Sequence, residues 1–284
     1  MATITNQAAL SYNGITTLSN IAVGELVEVL TVTKTAADTT YTPGSTKTYA
    51  ISLVNSGAAP FTGLTITDTL GSYAFNNGTL YPLTYVTGSL LYYVNGILQA
   101  TPAIADTAPL TVTGLSVPAG GSAMLVYSAT VNEFAPLGVE DSIVNTVSVT
   151  GGGLAAPVTA TETINASTTP QLSISKSICP ATIAENGTLT YTLTLQNRGN
   201  TAATASDELV ITDTFDPILK DLSVSFNGTV WTEGVHYTYD AATGAFATVT
   251  GALTVPAATH TQDAATGIYT VDPGVSNLVI TGML

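Results

Sequence analysis

Three side chains on apolar strand faces could do chemistry: Lys34, Asp68 and Asn145. Each falls within a run that alternates with period two, and residues i and i+2 share one face of a strand. Leu30, Val32 and Lys34 form one such face. Leu64, Ile66, Asp68 and Leu70 form a second, and Ile143, Asn145, Val147 and Val149 a third. The set holds an amine, a carboxyl and a carboxamide. An ammonium in an apolar core is costly unless it is paired. The chain has only five basic residues, yet the pattern recurs on Leu172, Ile174, Lys176 and on Leu209, Ile211, Asp213, Phe215. These spacings leave three arrangements open. A buried Lys can become a neutral nucleophile beside an acid that carries protons. It can instead form a plain ion pair with Asn hydrogen bonds nearby. It can also reach solvent from a strand end, with the Asp residues capping turns.

The recurrence is an internal repeat. Leu-Thr-Val-Thr-Lys ending at Lys34 matches Leu-Ser-Ile-Ser-Lys ending at Lys176, and YAISLVNSG from Tyr49 matches YTLTLQNRG from Tyr191, each at an offset of 142. ITDTL from Ile66 matches ITDTF from Ile211 at an offset of 145, and TVTG at 111–114 matches TVTG at 248–251. The third face, with its Asn, follows SAMLVYSATV at 122–131 in the first repeat. In the second repeat the best match to that run is SNLVITGML at 276–284, and no third face follows. A copy of the third face stands at the front of the chain instead. Ile4, Asn6, Ala8, Leu10 and Tyr12 alternate as the closing strand does, at an offset of 139 from Asn6 to Asn145.

Turn signals divide nearly every segment. Asn-Gly pairs at 13–14, 77–78, 95–96, 186–187 and 227–228 suit tight hairpin turns. No stretch has helical period or caps. Many short alternating strands at this spacing predict an all-β chain of two tandem immunoglobulin-like sandwiches. The expected organisation is a donor strand at 1–12, a linker at 13–28, domain one at 29–150, a linker at 151–170 (in which VTATETI could form a strand), and domain two at 171–284 without its last strand. A sandwich lacking a strand exposes an apolar groove and an open edge. Strand addition from another copy would fill both.

ITDTL and ITDTF, the Lys at the end of the first strand, the Asn-x-Gly after YxLxL and the closing Ile-x-Asn pattern resemble a bacterial surface repeat, the eleventh domain catalogued as of unknown function. That resemblance covers nearly the whole chain and implies immunoglobulin-like domains in tandem on secreted or surface proteins. The Lys, Asp and Asn are also similar to those of Gram-positive pilin and adhesin sandwiches. There a first-strand Lys and a last-strand Asn condense into an isopeptide bond beside a buried acid. The resemblance implies bonds from Lys34 to Asn145 within a chain and from Lys176 to Asn6 between chains, with Asp68 and Asp213 as the assisting acids.

Composition narrows the function. Five basic against nineteen acidic residues give a net charge of −14, which excludes the basic face that nucleic-acid binding needs. No apolar run is long enough to span a bilayer, so no membrane insertion is expected. One cysteine, Cys179, excludes an internal disulfide framework. The first residues have neither a basic region nor an apolar core of a secretory leader. That points to a start that is not native, or to export without a leader, as on spores whose appendages form inside the mother cell. No phosphate loop, nucleophile elbow or metal-ligand cluster is present, so no cofactor, no metal and no enzyme beyond autocatalytic bond formation is expected. His236 and His260 lie apart, and Glu140, Asp141, Asp263 and Asp272 match no calcium-loop spacing. The expected function is a structural subunit of an extracellular or spore-surface filament, its partner another copy of itself. The alternative is a monomeric adhesin whose site would draw on Tyr92, Tyr93, Trp231, Tyr237 and Tyr239.

Overall fold

The structure is a computed structural model and describes residues 2–284. Met1, the first residue of the expected donor segment, lies outside the described residues. Strands dominate, with one 3-10 turn at Ala205–Asp207. Two compact units emerge: residues 1–39, 46–130 and 144–163 form the first, and 40–45, 131–143 and 164–284 the second. The short stretches 40–45 and 131–143 depart from the expected boundaries, which place them in domain one.

Residues 2–26 form a hairpin. Its strands are β1 (Ala2–Asn6), β2 (Ala9–Tyr12), β3 (Ile15–Leu18) and β4 (Ala22–Leu26). β1 runs antiparallel to β4, with Asn6 opposite Ala22, and β2 to β3, with Tyr12 opposite Ile15. Asn13 and Gly14 make the turn at φ +46° and +81°, the left-handed pair that a two-residue hairpin loop requires. Residues 13–28, expected to be a linker, therefore carry the return arm of this hairpin. Every residue from Thr3 to Glu25 is exposed.

The sandwich of unit one uses β5 (Leu30–Ala36), β7 (Thr46–Asn55), β8 (Phe61–Asp68), β9 (Tyr73–Phe75), β10 (Gly78–Leu80), β11 (Leu83–Tyr85), β12 (Leu91–Val94), β13 (Ile97–Leu98), β14 (Ala103–Thr107), β15 (Leu110–Val117), β16 (Ser122–Val131), β17 (Ser142–Gly151) and β18 (Val158–Ala166); β6 (Thr40–Tyr41), between the first two in the chain, belongs to unit two. One sheet runs β13-β12-β16-β7-β5. The facing sheet runs β14-β15-β8-β17-β18, and β18 ends on a parallel bridge to β6. Alternation drives this layout. Tyr49, Ile51 and Leu53 on β7 and Leu125 and Tyr127 on β16 are at most 1% exposed. So are Leu64 and Ile66 on β8 and Val147 and Val149 on β17. Each such side chain contributes about 1.5–3 kcal/mol by leaving water. β18 occupies most of the expected linker 151–170, as a paired strand.

Unit two is built from β19 (Leu172–Cys179), β20 (Thr188–Asn197), β21 (Thr212–Thr214), β22 (Lys220–Phe226), β23 (Thr229–Val230), β24 (Tyr237–Asp240), β25 (Ala245–Thr248), β26 (Thr259–Gln262), β27 (Tyr269–Asp272) and β28 (Gly274–Met283). Five strands form one sheet in the order β19-β20-β28-β22-β23, and three form another in the order β21-β25-β24. Phe215, Phe246, Leu253, Val255, Leu278 and Ile280 pack its core. The two units differ at the strand that carries the Asp. In unit one β8 is flanked by β15 and by β17. In unit two β21 pairs with β25, and its other edge has no partner among the described residues. β5 buries alternate residues, whereas all eight residues of β19 are exposed.

Candidate functional site: a buried amine, acid and amide

Unit one brings Lys34, Asp68 and Asn145 into one cluster. Lys34 comes from the edge strand of one sheet, and Asp68 and Asn145 come from adjacent strands of the other. Lys34 Nζ donates to Asp68 Oδ2 at 2.5 Å, and both side chains are wholly shielded from solvent. The Tyr127 hydroxyl donates to the same oxygen at 2.7 Å. Asn145 Nδ2 donates to the Tyr127 oxygen at 3.2 Å. Tyr127 thus stands between the acid and the amide. The turn after β8 fixes both partners from the other side. The Leu70 N–H donates to Asp68 Oδ1, and the Gly71 N–H and the Thr69 hydroxyl donate to Asn145 Oδ1. Leu70 and Gly71 adopt φ of +51° and +70°, which points both N–H groups inward.

Burial sets the electrostatics. It lowers the Lys34 pKa to about 8, against the opposing pull of Asp68 and, more weakly, of Glu162. A neutral amine is therefore accessible near neutral pH. Burial, then the Asp68 charge, raises the pKa of Tyr49 and of Tyr127, so both remain phenols. Lys34 Nζ lies 5.1 Å from the Tyr49 ring centroid. The Tyr49 and Tyr85 hydroxyls are buried without a hydrogen-bond partner. The strand-end arrangement with a solvated Lys is excluded for Lys34.

Unit two holds half of the same set. Lys176 Nζ donates to Asp213 Oδ2, with side chains 38% and 17% exposed. The amine lies 4.4 Å from the Tyr191 ring centroid and 5.4 Å from that of Phe215. Asn6, its expected partner, sits opposite Ala22 in the N-terminal hairpin and is exposed. Ile4, Leu10 and Tyr12 are 55%, 66% and 53% exposed, and Ala8 is exposed as well.

Tyr127 is a member of this cluster that the sequence pattern did not single out. A signal existed: a Tyr on a core face needs a partner for its hydroxyl, and the matched run in the second repeat has none. The other candidates have internal roles. Tyr92 donates to the Ser116 carbonyl and Tyr239 to that of Leu219. Trp231 stacks between Phe226 and His236, Tyr237 against Phe246, and Tyr93 is half-buried in the ladder between β12 and β16. Tyr92, Trp231, Tyr237 and Tyr239 therefore build cores rather than an adhesin surface. Burial lowers the pKa of His260, which lies on β26. Asp141 accepts from the Gly138 N–H, and Asp263 accepts from Ala265 and Thr266 within its own loop. Among the described residues no group of three or more potential ligands could hold a metal ion. Cys179 is exposed and free. Among the described residues no helix is long and apolar enough to cross a membrane.

The fold is all-β, in the immunoglobulin-like arrangement of facing sheets. No protein-family model matches the chain, so its likeness to the surface repeat rests on the motifs alone. No curated protein matches either. Among solved structures it is similar to the pilus backbone RrgB of Streptococcus pneumoniae, at 11% identity and a TM-score of 0.35, over 86% of this chain and 55% of that one. It is similar to BcpA, the major pilin subunit of Bacillus cereus, at 14% identity and a TM-score of 0.37, over 96% and 73%. The N-terminal domain of the Streptococcus gordonii adhesin Sgo0707 matches at 15% identity and a TM-score of 0.34, over 53% and 35%. The chain thus spans about half the length of the pilus backbone it matches.

Proposed function

We propose that this protein is the structural subunit of a bacterial filament, displayed on a cell or spore surface and joined head to tail by donated strands. The observation that carries the reading is the open edge of β21, set beside an N-terminal strand that copies β17. β17 buries Ile143, Asn145, Val147 and Val149 within its own chain. The matching Ile4, Asn6, Ala8 and Leu10 are exposed. A donated strand supplies main-chain hydrogen bonds to the edge and side chains to the groove. A head-to-tail contact of this kind either closes into a ring or propagates.

The same reading assigns covalent locking. Neutral Lys34 Nζ attacks the Asn145 carboxamide carbon, a new C–N bond forms and the old one breaks. Ammonia leaves and takes up the proton that the amine gives up, carried through Asp68. Atoms and charges balance without a co-reactant. Packing holds the reactants in place, which supplies effective concentration. With Asn6 of a second copy beside Lys176 and Asp213, the identical reaction would join subunits. Mass spectrometry after boiling in SDS tests this. A ladder containing a Lys176–Asn6 peptide short of one ammonia is expected. Monomer alone, with both residues intact, removes the intersubunit bond.

A further inference from the structure

We propose that the element passed between subunits is the whole β1–β4 hairpin, two strands wide, and that it docks on the β21 edge of a second copy of this chain. This rests on the head-to-tail reading above and specifies what is exchanged.

The argument is one of position. Past β8, the sheet of unit one continues with β17 and then β18, which are joined through glycines 151–153. Past β21, the sheet of unit two has neither. The missing width is two strands. Residues 2–26 offer two arms in the same chain order, with Asn13-Gly14 standing 139 residues before Gly152-Gly153, the offset that relates Asn6 to Asn145. Chain order agrees as well. The β17–β18 hairpin immediately precedes β19, the first strand of the next unit, and the β1–β4 hairpin immediately precedes β5. Each unit's first strand thus follows a hairpin. The one before β19 lies in the sheet of the preceding unit. By the same rule the one before β5 belongs in the sheet of another unit, and the open β21 edge of a second copy's unit two is the place that fits it.

Energetics favour the wider element. A single donated strand would present its own outer edge to solvent, open to further pairing. In the hairpin that edge is already satisfied by β3 and β4. Pairing before docking also lowers the ordering cost of binding. The undocked hairpin exposes Ile4, Leu10 and Tyr12 from its first arm and Ile15, Leu18 and Val23 from its second, each by more than half. A two-stranded hairpin is at best marginally stable alone, and apolar surface of this extent marks an interface. In unit one, the second arm turns one face inward: Val158, Ala160 and Glu162 on β18 are half-buried, while Thr159, Thr161 and Thr163 between them are exposed.

Three full-length variants test it by sedimentation and electron microscopy. One replaces residues 15–26 by an equally long Gly/Ser segment, which keeps the first arm and its reach. The second is Val23→Pro, which removes one ladder N–H opposite Thr5. The third replaces residues 2–12 in the same Gly/Ser manner. Circular dichroism and thermal unfolding confirm that the units fold. Docking of the hairpin predicts that all three lose filament mass, the two segment replacements by about tenfold or more. Filaments that survive loss of 15–26 but not loss of 2–12 overturn the hairpin and leave single-strand donation. Filaments that survive loss of 2–12 overturn the head-to-tail reading itself. Wild-type monomer with its hairpin amides protected from exchange means closure within one chain, and overturns exchange between subunits.

Discussion

Tyr127 and Ile280 hold the same place in the two units. Tyr127 lies directly across the ladder from Tyr49, and Ile280 directly across from Tyr191. Lys34 and Lys176 lie across from Ile51 and Leu193, two residues further along the same strands. The hydroxyl that joins Asp68 to Asn145 in unit one therefore has no counterpart in unit two, where an aliphatic side chain fills the space. The two Lys–Asp pairs are alike in sequence and differ in chemistry. One is sealed and bridged to its amide. The other is partly open, and an incoming Asn6 would meet no counterpart of the Tyr127 hydroxyl.

Tyr127→Phe should separate packing from hydrogen bonding. The ring remains, while Asn145 Nδ2 and Asp68 Oδ2 each lose a partner. Leaving buried polar groups unpaired costs about 1–3 kcal/mol. A lower urea midpoint is expected, together with slower ammonia loss from unit one in intact-mass measurements. Unchanged kinetics would limit Tyr127 to packing.

Asp68→Ala should be far worse than removal of the whole pair. It strands the Lys34 ammonium, with breaking of a buried pair costing about 3–5 kcal/mol. Lys34→Met combined with Asp68→Leu removes both charges at similar volume and should recover most of that loss. Equilibrium unfolding of the single and double variants decides it. Equal destabilisation would show that the charges are not the source of the cost.

The pH dependence has a definite sign. Burial lowers the Lys34 pKa from 10.5 to about 8, so the folded state holds its proton less tightly than the unfolded chain. The penalty for a charged Lys34 is complete below about 8 and is relieved as pH rises from there through about 10.5. In Asn145→Ala, which cannot form the bond, the Lys34 contribution should make stability rise across that window. The difference from the Lys34→Met, Asn145→Ala double variant isolates it. In the wild type, bond formation should accelerate up to about pH 8 and then level off. A rate that falls between pH 6 and 8 would count against amine attack.

Unit two should stiffen on assembly. Residues 209–215 have an unpaired edge, and β19 is exposed along its length. The backbone amides of 209–215 that face the open edge should exchange quickly in the monomer and slowly in filaments, because added strand pairing protects them. Equal exchange in both states would place the contact elsewhere.

The sequence was legible wherever a strand has a core to face. Alternation revealed the Lys34, Asp68 and Asn145 faces, and the Asp-Thr repeats revealed the two units. Legibility failed where that constraint is lacking. Residues 15–26 carry apolar side chains at both parities, because in the undocked hairpin neither face is buried, and so they read as a linker. Asn-Gly at 13–14 did mark the hairpin turn, but nothing in its period showed that the return arm pairs. Stretches 40–45 and 131–143 join unit two through contacts distant in the chain, which local pattern does not record. Tyr127 does not stand out in the sequence, because its hydroxyl matters only once Asp68 and Asn145 are seen beside it.

The cluster in unit one also fixes how that unit would bear a load. Lys34 lies on its first strand, Asn145 on the strand that closes it, and the two belong to facing sheets. A pull entering at Leu30 and leaving at Gly151 reaches Lys34 and Asn145 before most of the strands between them. Tension would run through four side chains and, with Lys34 and Asn145 joined as proposed, through a covalent shortcut. The intervening hundred or so residues, with their turns and sheets, would then lie outside the line of force.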